Sequence, residues 1–261
     1  DEELLQELFI KPFENASAHK ASDLIDVIKS STTDDFKKYI NDVSNKHGVA
    51  NAATKEEFAK HGINYEKWIN PGTENDVELD ITGKKLKIRM WDRNPQEDLF
   101  MGNKTTCCTA IGTGINAQST PIYLLNNSFN VVDMLDQNGN LVGMSRVFMG
   151  NVDGKPGLIM DNIELNNTFI KPLNDNQLKE IRNGFFEYMN RYAKEVTGDP
   201  NSQVYFSTSF VNVPTADLAK TRKNVDFIGK LSSDQAYINA AQGWIDPKKF
   251  KDNQRSFYIV P

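Results

Sequence analysis

Apolar residues change their spacing once along this chain, and the change divides it. Up to about Asn70 they recur every third or fourth position, the period of a helix with one buried face. Leu4, Leu5 and Leu8 keep that spacing in DEELLQELF, and SDLIDVIKS opens on Ser22, whose hydroxyl suits an N-cap. In TTDDFKKYINDVSNKHG, Phe36, Ile40 and Val43 share a face between a cap at Thr33 or Asp34 and a stop at Gly48. TKEEFAKHGINYEKWINPG restarts the pattern with a capping box from Thr54 to Glu57 and ends at Pro71 and Gly72. The charged residues on the far faces are the solvated side of these helices.

The period then falls to two. NDVELDITGKKLKIRMW predicts two strands around Gly83, and FNVVDML, LVGMSRVFMG and LIMDNIEL predict three more, joined by the turns DQNGN and NVDGKPG. That is an antiparallel meander. A long helix follows in NDNQLKEIRNGFFEYMNRYAKEVTG, with Leu178, Ile181, Phe185, Met189 and Tyr192 in one stripe and Gly198 as its stop. QVYFSTSF is a strand, VPTADLAKTR a short helix started by Pro214, and VDFIGK and SFYIV are further strands. The pattern therefore predicts a helical region at 1–72 and, at 73–261, an α+β domain built on a mixed, mostly antiparallel sheet. A Gly/Cys-rich loop at 92–125 fits neither period.

With 261 residues, 39% of them hydrophobic, the chain is long enough to bury a core of its own. A net charge of -5 with scattered lysines points away from nucleic acid and anionic lipid as partners. No run approaches the roughly 18 to 20 apolar residues that a membrane span requires, so the expectation is a soluble protein without a membrane partner.

The two cysteines, Cys107 and Cys108, are neighbours in GNKTTCCTAIGTG. Adjacent cysteines close only a strained ring and cannot join distant parts of the chain, so a reducing, cytoplasmic setting is expected. Three roles stay open for them: a nucleophile with its neighbour, half of a metal site, or two small residues that pack. A nucleophilic thiol needs a base, usually histidine, and His19, His47 and His61 all lie in the helical region. A structural zinc site takes about four ligands with cysteines in spaced pairs; there is no second pair, and no metal is expected. Trp91, Asp92, Arg93 and Asp98, just upstream, add further groups able to do chemistry.

The order after residue 78, a strand, a glycine-rich loop region, three strands, a long helix, then strand, short helix and two strands, resembles the GNAT acyltransferase fold. In that family a meander leads to a central strand, a helix follows, and a strand–helix–strand unit closes the domain. The resemblance covers roughly residues 78–261 and rests on element order. It implies an N-acyltransferase that takes acyl-coenzyme A and acts on an amine of a small molecule or a protein. It also implies a carboxylate base near the end of the central strand, where LIMDNIELNN offers Asp161 and Glu164. Alternation puts Asp161 on the face of Ile159, Ile163 and Leu165, and Glu164 on the face of Leu158, Met160 and Asn162, so only one of the two points into a given cleft. Either could instead pair with Arg146 across the sheet.

For the cofactor, the resemblance implies backbone contacts around Ile163, Leu165 and Asn166, with Lys171 near the phosphates and Asn212 near the pantetheine arm. The family's pyrophosphate turn is rich in glycine and basic residues; here NNTFIKPLNDNQ has no glycine, Lys171 is its one basic residue, and Asp175 stands at the helix start. Two other readings stand beside the acyltransferase: a cysteine-dependent hydrolase or transferase using Cys107 or Cys108, and a non-catalytic binding domain.

Overall fold

The structure, a computed structural model, describes residues 33–93, 98, 100–105, 107–110, 114, 120–207, 213, 218, 222–223, 225–230 and 257–260. The expected helices at 1–9 and 22–30, and most of VPTADLAKTR, lie outside the described residues.

Helix α1 runs from Thr33–Lys60 without a break, so neither the stop expected at Gly48 nor the fresh start at Thr54 occurs. The reason is tertiary. Thr54 is wholly buried, its Oγ1 lies 2.7 Å from Ser128 Oγ, and it accepts the N–H of Lys230 at 2.9 Å. That hydroxyl is held by distant chain and does not serve as a cap, while a mid-helix glycine costs only about 1 kcal/mol. The helix ends instead at Gly62, which has φ +70. A short helix α2, Tyr65–Ile69, follows with Asn64 as N-cap, its side chain accepting from Lys67 N–H.

Strands β1, Val77–Ile81, and β2, Lys84–Met90, form a hairpin whose turn residues Thr82 and Gly83 both have positive φ, as a two-residue primed turn requires. Helices α3, Met101–Lys104, and α4, Thr120–Leu125, fall in the region between β2 and the next strand. Strands β3, Phe129–Asp136, β4, Leu141–Val152, and β5, Lys155–Met160, complete the meander, and Asp153–Gly154 repeats the primed turn.

After β5 the chain leaves β4 and returns to it as β6, Glu164–Leu165. Between the pairs Val147↔Met160 and Met144↔Glu164, two β4 residues, Ser145 and Arg146, face three on the other side, Asp161, Asn162 and Ile163. This is a bulge, one extra residue at the end of the central strand. The strict alternation expected across LIMDNIEL is therefore broken there.

A one-turn helix α5, Asn167–Ile170, leads into α6, Asp175–Thr197, closed by Gly198 at φ +67. The expected stripe is the buried one: Ile181, Phe185, Met189 and Tyr192 are wholly buried, and Leu178 packs at its margin. At about 1.5–3 kcal/mol for each large apolar side chain, that stripe is the main force seating the helix. Gly184 lets it approach closely; a Cβ there would lie 2.7 Å from Leu79 Cδ1 and 2.8 Å from Ile88 Cδ1.

Strands β7, Val204–Ser207, β8, Arg222–Lys223, β9, Asp226–Ile228, and β10, Phe257–Ile259, finish the sheet. The order is β1-β2-β3-β4-β5-β7-β10-β8, with β5 and β7 parallel and the other pairs antiparallel. β9 lies against β4 at Met149–Asn151, past the Phe129↔Phe148 pair where β3 begins. The fold is α+β with a mixed, mostly antiparallel sheet. α6 covers the face of Ile88, and Cys107, Thr109 and Tyr123 lie against Arg146 on the opposite face. The described part of the N-terminal helices joins the same core through Phe58, Ile63 and Trp68, and Trp68 stacks on Tyr192 with ring centroids 5.6 Å apart.

Candidate functional site

Register places a row of polar side chains on the sheet face opposite α6. Arg89 pairs with Asp133, Asp133 with Met144, and Met144 with Glu164, so all four point to one side, and Arg146, two positions beyond Met144, joins them. Asp98 and Lys104 lie beside Arg89 and Asp133 of this row, and Cys107 and Thr109 lie against Arg146.

The cysteine turn is tightly built. Cys107 N–H donates to Gly102 O at 2.8 Å, and Ala110 N–H donates back to Cys107 O at 3.0 Å. Gly102 has no room for a side chain: a Cβ would lie 2.7 Å from Ala110 N. Thr105 is wholly buried and returns its hydroxyl to Met101 O at 2.9 Å. The turn buries Cys107 and leaves Cys108 exposed.

Arg146 rises from β4 into this turn. Its Nη2 donates to Thr109 Oγ1 at 2.6 Å and its Nη1 to Cys107 Sγ at 3.4 Å, while its Cζ sits 4.4 Å from the Tyr123 ring centroid. The guanidinium is buried, and Nε has no hydrogen-bond partner. Burial works against its charge, but Cys107, Tyr123 and Glu164 outweigh burial and hold its pKa above the usual guanidinium range.

Glu164 arrives from the other side, carried by the bulge. Asn162 Nδ2 donates to its Oε1 at 2.9 Å; Oε2 is shielded from solvent and has no hydrogen-bond partner. Burial is the main cause that pushes its pKa up to about 8, the Cys107 thiol adds to it, and Arg146 opposes. Cys107 is pushed up to about 12, first by its hydrogen bond with Cys108 and then by burial, against the pull of Arg146. A carboxylate oxygen of Glu164 and both sulfurs lie within 4.8 Å of one another.

The structure thus gathers Cys107, Cys108 and Glu164, three of the four residues expected to do chemistry. Asp161 lies in the bulge beside them. It is buried, its N–H donates to Arg146 O at 2.8 Å, and its carbonyl accepts from Ser145 Oγ at 3.1 Å. Among the described residues no histidine joins the cluster; His61 Nε2 lies 3.5 Å from Glu57 Oε1 on α1.

Of the residues expected at a cofactor, Ile163 and Leu165 are buried, Lys171 is exposed, and Asn212 lies outside the described residues. Asn166 caps α5, accepting from Thr168 and Phe169 N–H, and donates to Lys104 O. At the start of α6, Asn174 accepts from the N–H groups of Asn176 and Gln177, and Gln177 accepts from Asn174 N–H. The donors that a helix start offers to a phosphate are partly taken there by the capping box.

Of the groups upstream, Asp92 accepts two bonds from Arg89, at 2.7 and 2.6 Å. Arg93 donates to Asn127 and Asn130 and stacks on Trp91, inside the buried network that ties Trp68 and Tyr192 to the sheet. Both are structural roles. Asp133 is a residue the sequence reading missed. It lines a cavity of about 40 Å³ with Arg89, Asp92, Asp98 and Lys104; its Oδ1 is unpartnered, and burial raises its pKa well above the carboxylate range. Its signal was a lone acid between Val132 and Met134 in an apolar strand.

These elements define an α+β domain whose central strand ends in a bulge that presents a half-buried acid to a pair of thiols and an arginine. No protein-family model matches the chain, and no curated protein shows significant similarity to it.

Proposed function

We propose that this domain is an N-acyltransferase of GNAT-like fold and that Glu164 is the base that takes the proton from the attacking amine. The observation that carries this reading is a half-buried carboxyl at the bulge that ends the central strand, its Oε2 shielded from solvent and its pKa pushed up to about 8. A base poised near neutrality is matched to proton transfer from an amine, whereas an ordinary glutamate at about 4.3 is a much weaker acceptor. The sheet order, with a parallel β5–β7 pair spanned by α6, supports the resemblance on which the reading rests. Acyl-coenzyme A is the donor in this proposal, with its thioester carbonyl near the backbone of Ile163 and Leu165. The capped start of α6 leaves the phosphates to other groups, Lys171 among them.

Acetyl-coenzyme A at millimolar concentration should raise the melting temperature, because it binds the folded state alone. Glu164→Gln should lower turnover by roughly a hundredfold or more with the fold intact. No thermal shift would argue for a binding domain without this cofactor, and full activity in Glu164→Gln would remove the mechanism. One observation favours a second reading: Cys108 is exposed and lies beside Glu164, so the same base could activate a thiol. Loss of all activity in Cys108→Ser with an unchanged melting temperature would favour the cysteine route.

A further inference from the structure

We propose that Sγ of Cys107, Sγ of Cys108 and a carboxylate oxygen of Glu164 form a binding site for one zinc ion, with a fourth coordination position open to solvent or ligand. All three donor atoms lie within 4.8 Å of one another before any metal enters. With Zn–S bonds of about 2.3 Å, neighbouring sulfurs in a tetrahedral site are about 3.8 Å apart, so an inward shift of about an ångström at most closes the set. Two thiolates and a carboxylate suit zinc, and three protein donors with one open position is the pattern of a reactive zinc centre.

Charge supplies an independent argument. Arg146 is buried and reaches into the cluster from β4: its Nη1 lies 3.4 Å from Cys107 Sγ and its Nη2 donates to Thr109 Oγ1 at 2.6 Å. Glu164 Oε2, shielded from water, meets no donor. A buried oxygen without a partner is unfavourable. Two thiolates, one carboxylate and a dication sum to a single negative charge, which the guanidinium neutralises. Zinc therefore gives Glu164 Oε2 a partner, and the buried guanidinium balances the charge of the filled site.

The scaffold is prepared for such a ligand. The Cys107 backbone is held on both sides, through Gly102 O and Ala110 N, and Gly102 and Gly114 bring that backbone into close contact, a Cβ at Gly114 lying 2.2 Å from Cys108 O. Little order has to be acquired when metal binds. The sequence shows no second cysteine pair because the third donor is supplied by the bulge of another element. Zinc here occupies the carboxylate that amine deprotonation requires, so this inference does not rest on the acyltransferase reading, and each can fail alone.

The test uses the full chain, reduced and stripped with chelator, titrated with Co²⁺ as a spectroscopic stand-in and then with Zn²⁺. One equivalent of Co²⁺ should produce a thiolate-to-metal charge-transfer band and tetrahedral d–d bands, and one equivalent of Zn²⁺ should erase them. Cys108→Ser, at an exposed position, should halve the charge-transfer intensity and weaken Zn²⁺ binding at least tenfold. Glu164→Gln should weaken binding about tenfold while keeping the two-thiolate band. Circular dichroism establishes that each variant is folded, and should Cys107→Ser unfold, the wild-type band intensity itself counts the thiolates. A folded wild-type protein without the band overturns the proposal, as does a band of undiminished intensity in Cys108→Ser. Acetyl-coenzyme A binding to the metal-free protein, scored separately, reports on the other reading.

Discussion

A glutamate whose folded pKa is about 8 makes the fold less stable as pH rises. An unfolded glutamate titrates near 4.3. Between about pH 4.3 and 8 the folded state keeps a proton on Glu164 that the unfolded chain has released, so stability falls through that window and the loss is complete above about pH 8. The amount is roughly a few kcal/mol. Glu164→Gln, neutral at every pH, should flatten this part of the profile: urea midpoints of variant and wild type should agree near pH 4 and diverge in favour of the variant by about pH 8.5. Parallel profiles would mean that the carboxyl is not buried in its protonated form. The two thiols should likewise part company. Cys108 is exposed, whereas Cys107 is buried with a pKa of about 12. Iodoacetamide at neutral pH should add one label per folded, metal-free chain, on Cys108, and intact mass with peptide mapping reads this directly.

At the scale of elements, the turn at 102–110 is the part that a small change disturbs most. Gly102→Ala forces a methyl to 2.7 Å from backbone atoms and pushes on the carbonyl that holds Cys107. A loss of about 1–3 kcal/mol is expected, together with a second alkylation that the wild type does not show. Should Gly102→Ala match the wild type in both respects, the turn is looser than its contacts imply. The elements themselves were largely legible. Alternation located β1 to β5, and the stripe from Leu178 to Tyr192 and Gly198 located α6, because in both cases one face is buried and the residue pattern records it. Two local signals misled. Gly48 and Thr54 carry the chemistry of a stop and a cap, but tertiary partners at Ser128 and Lys230 claim the Thr54 hydroxyl and the helix runs through. The site was half legible. Glu164 and the cysteines could each be picked out by type and place, but their meeting depends on a bulge and on Arg146, and no spacing along the chain encodes which elements lie over which face.

For the molecule as a whole, Trp68 joins the N-terminal helices to the sheet. It is wholly buried, donates its indole N–H to Asn127 O at 2.7 Å, stacks on Tyr192, and offers its carbonyl to Asn130 and Tyr192. Trp68→Ala should cost about 3–5 kcal/mol and leave a single unfolding transition, since helix and sheet share that core. Two resolved transitions in denaturant would show instead that the helical region unfolds by itself. The parallel pairing of 158–160 with 204–206 has a kinetic consequence of a different order. The strands of the meander meet through short turns, whereas this pairing closes a loop that contains the whole of α6, and chain entropy opposes it until the helix is seated. The meander with α6 is thus the expected nucleus, and the strands from Val204 onward dock after the barrier. Val132→Ala, deep in the meander, should slow refolding. Phe206→Leu, on the late side, should mainly accelerate unfolding, and stopped-flow traces of the two variants distinguish this order from its reverse.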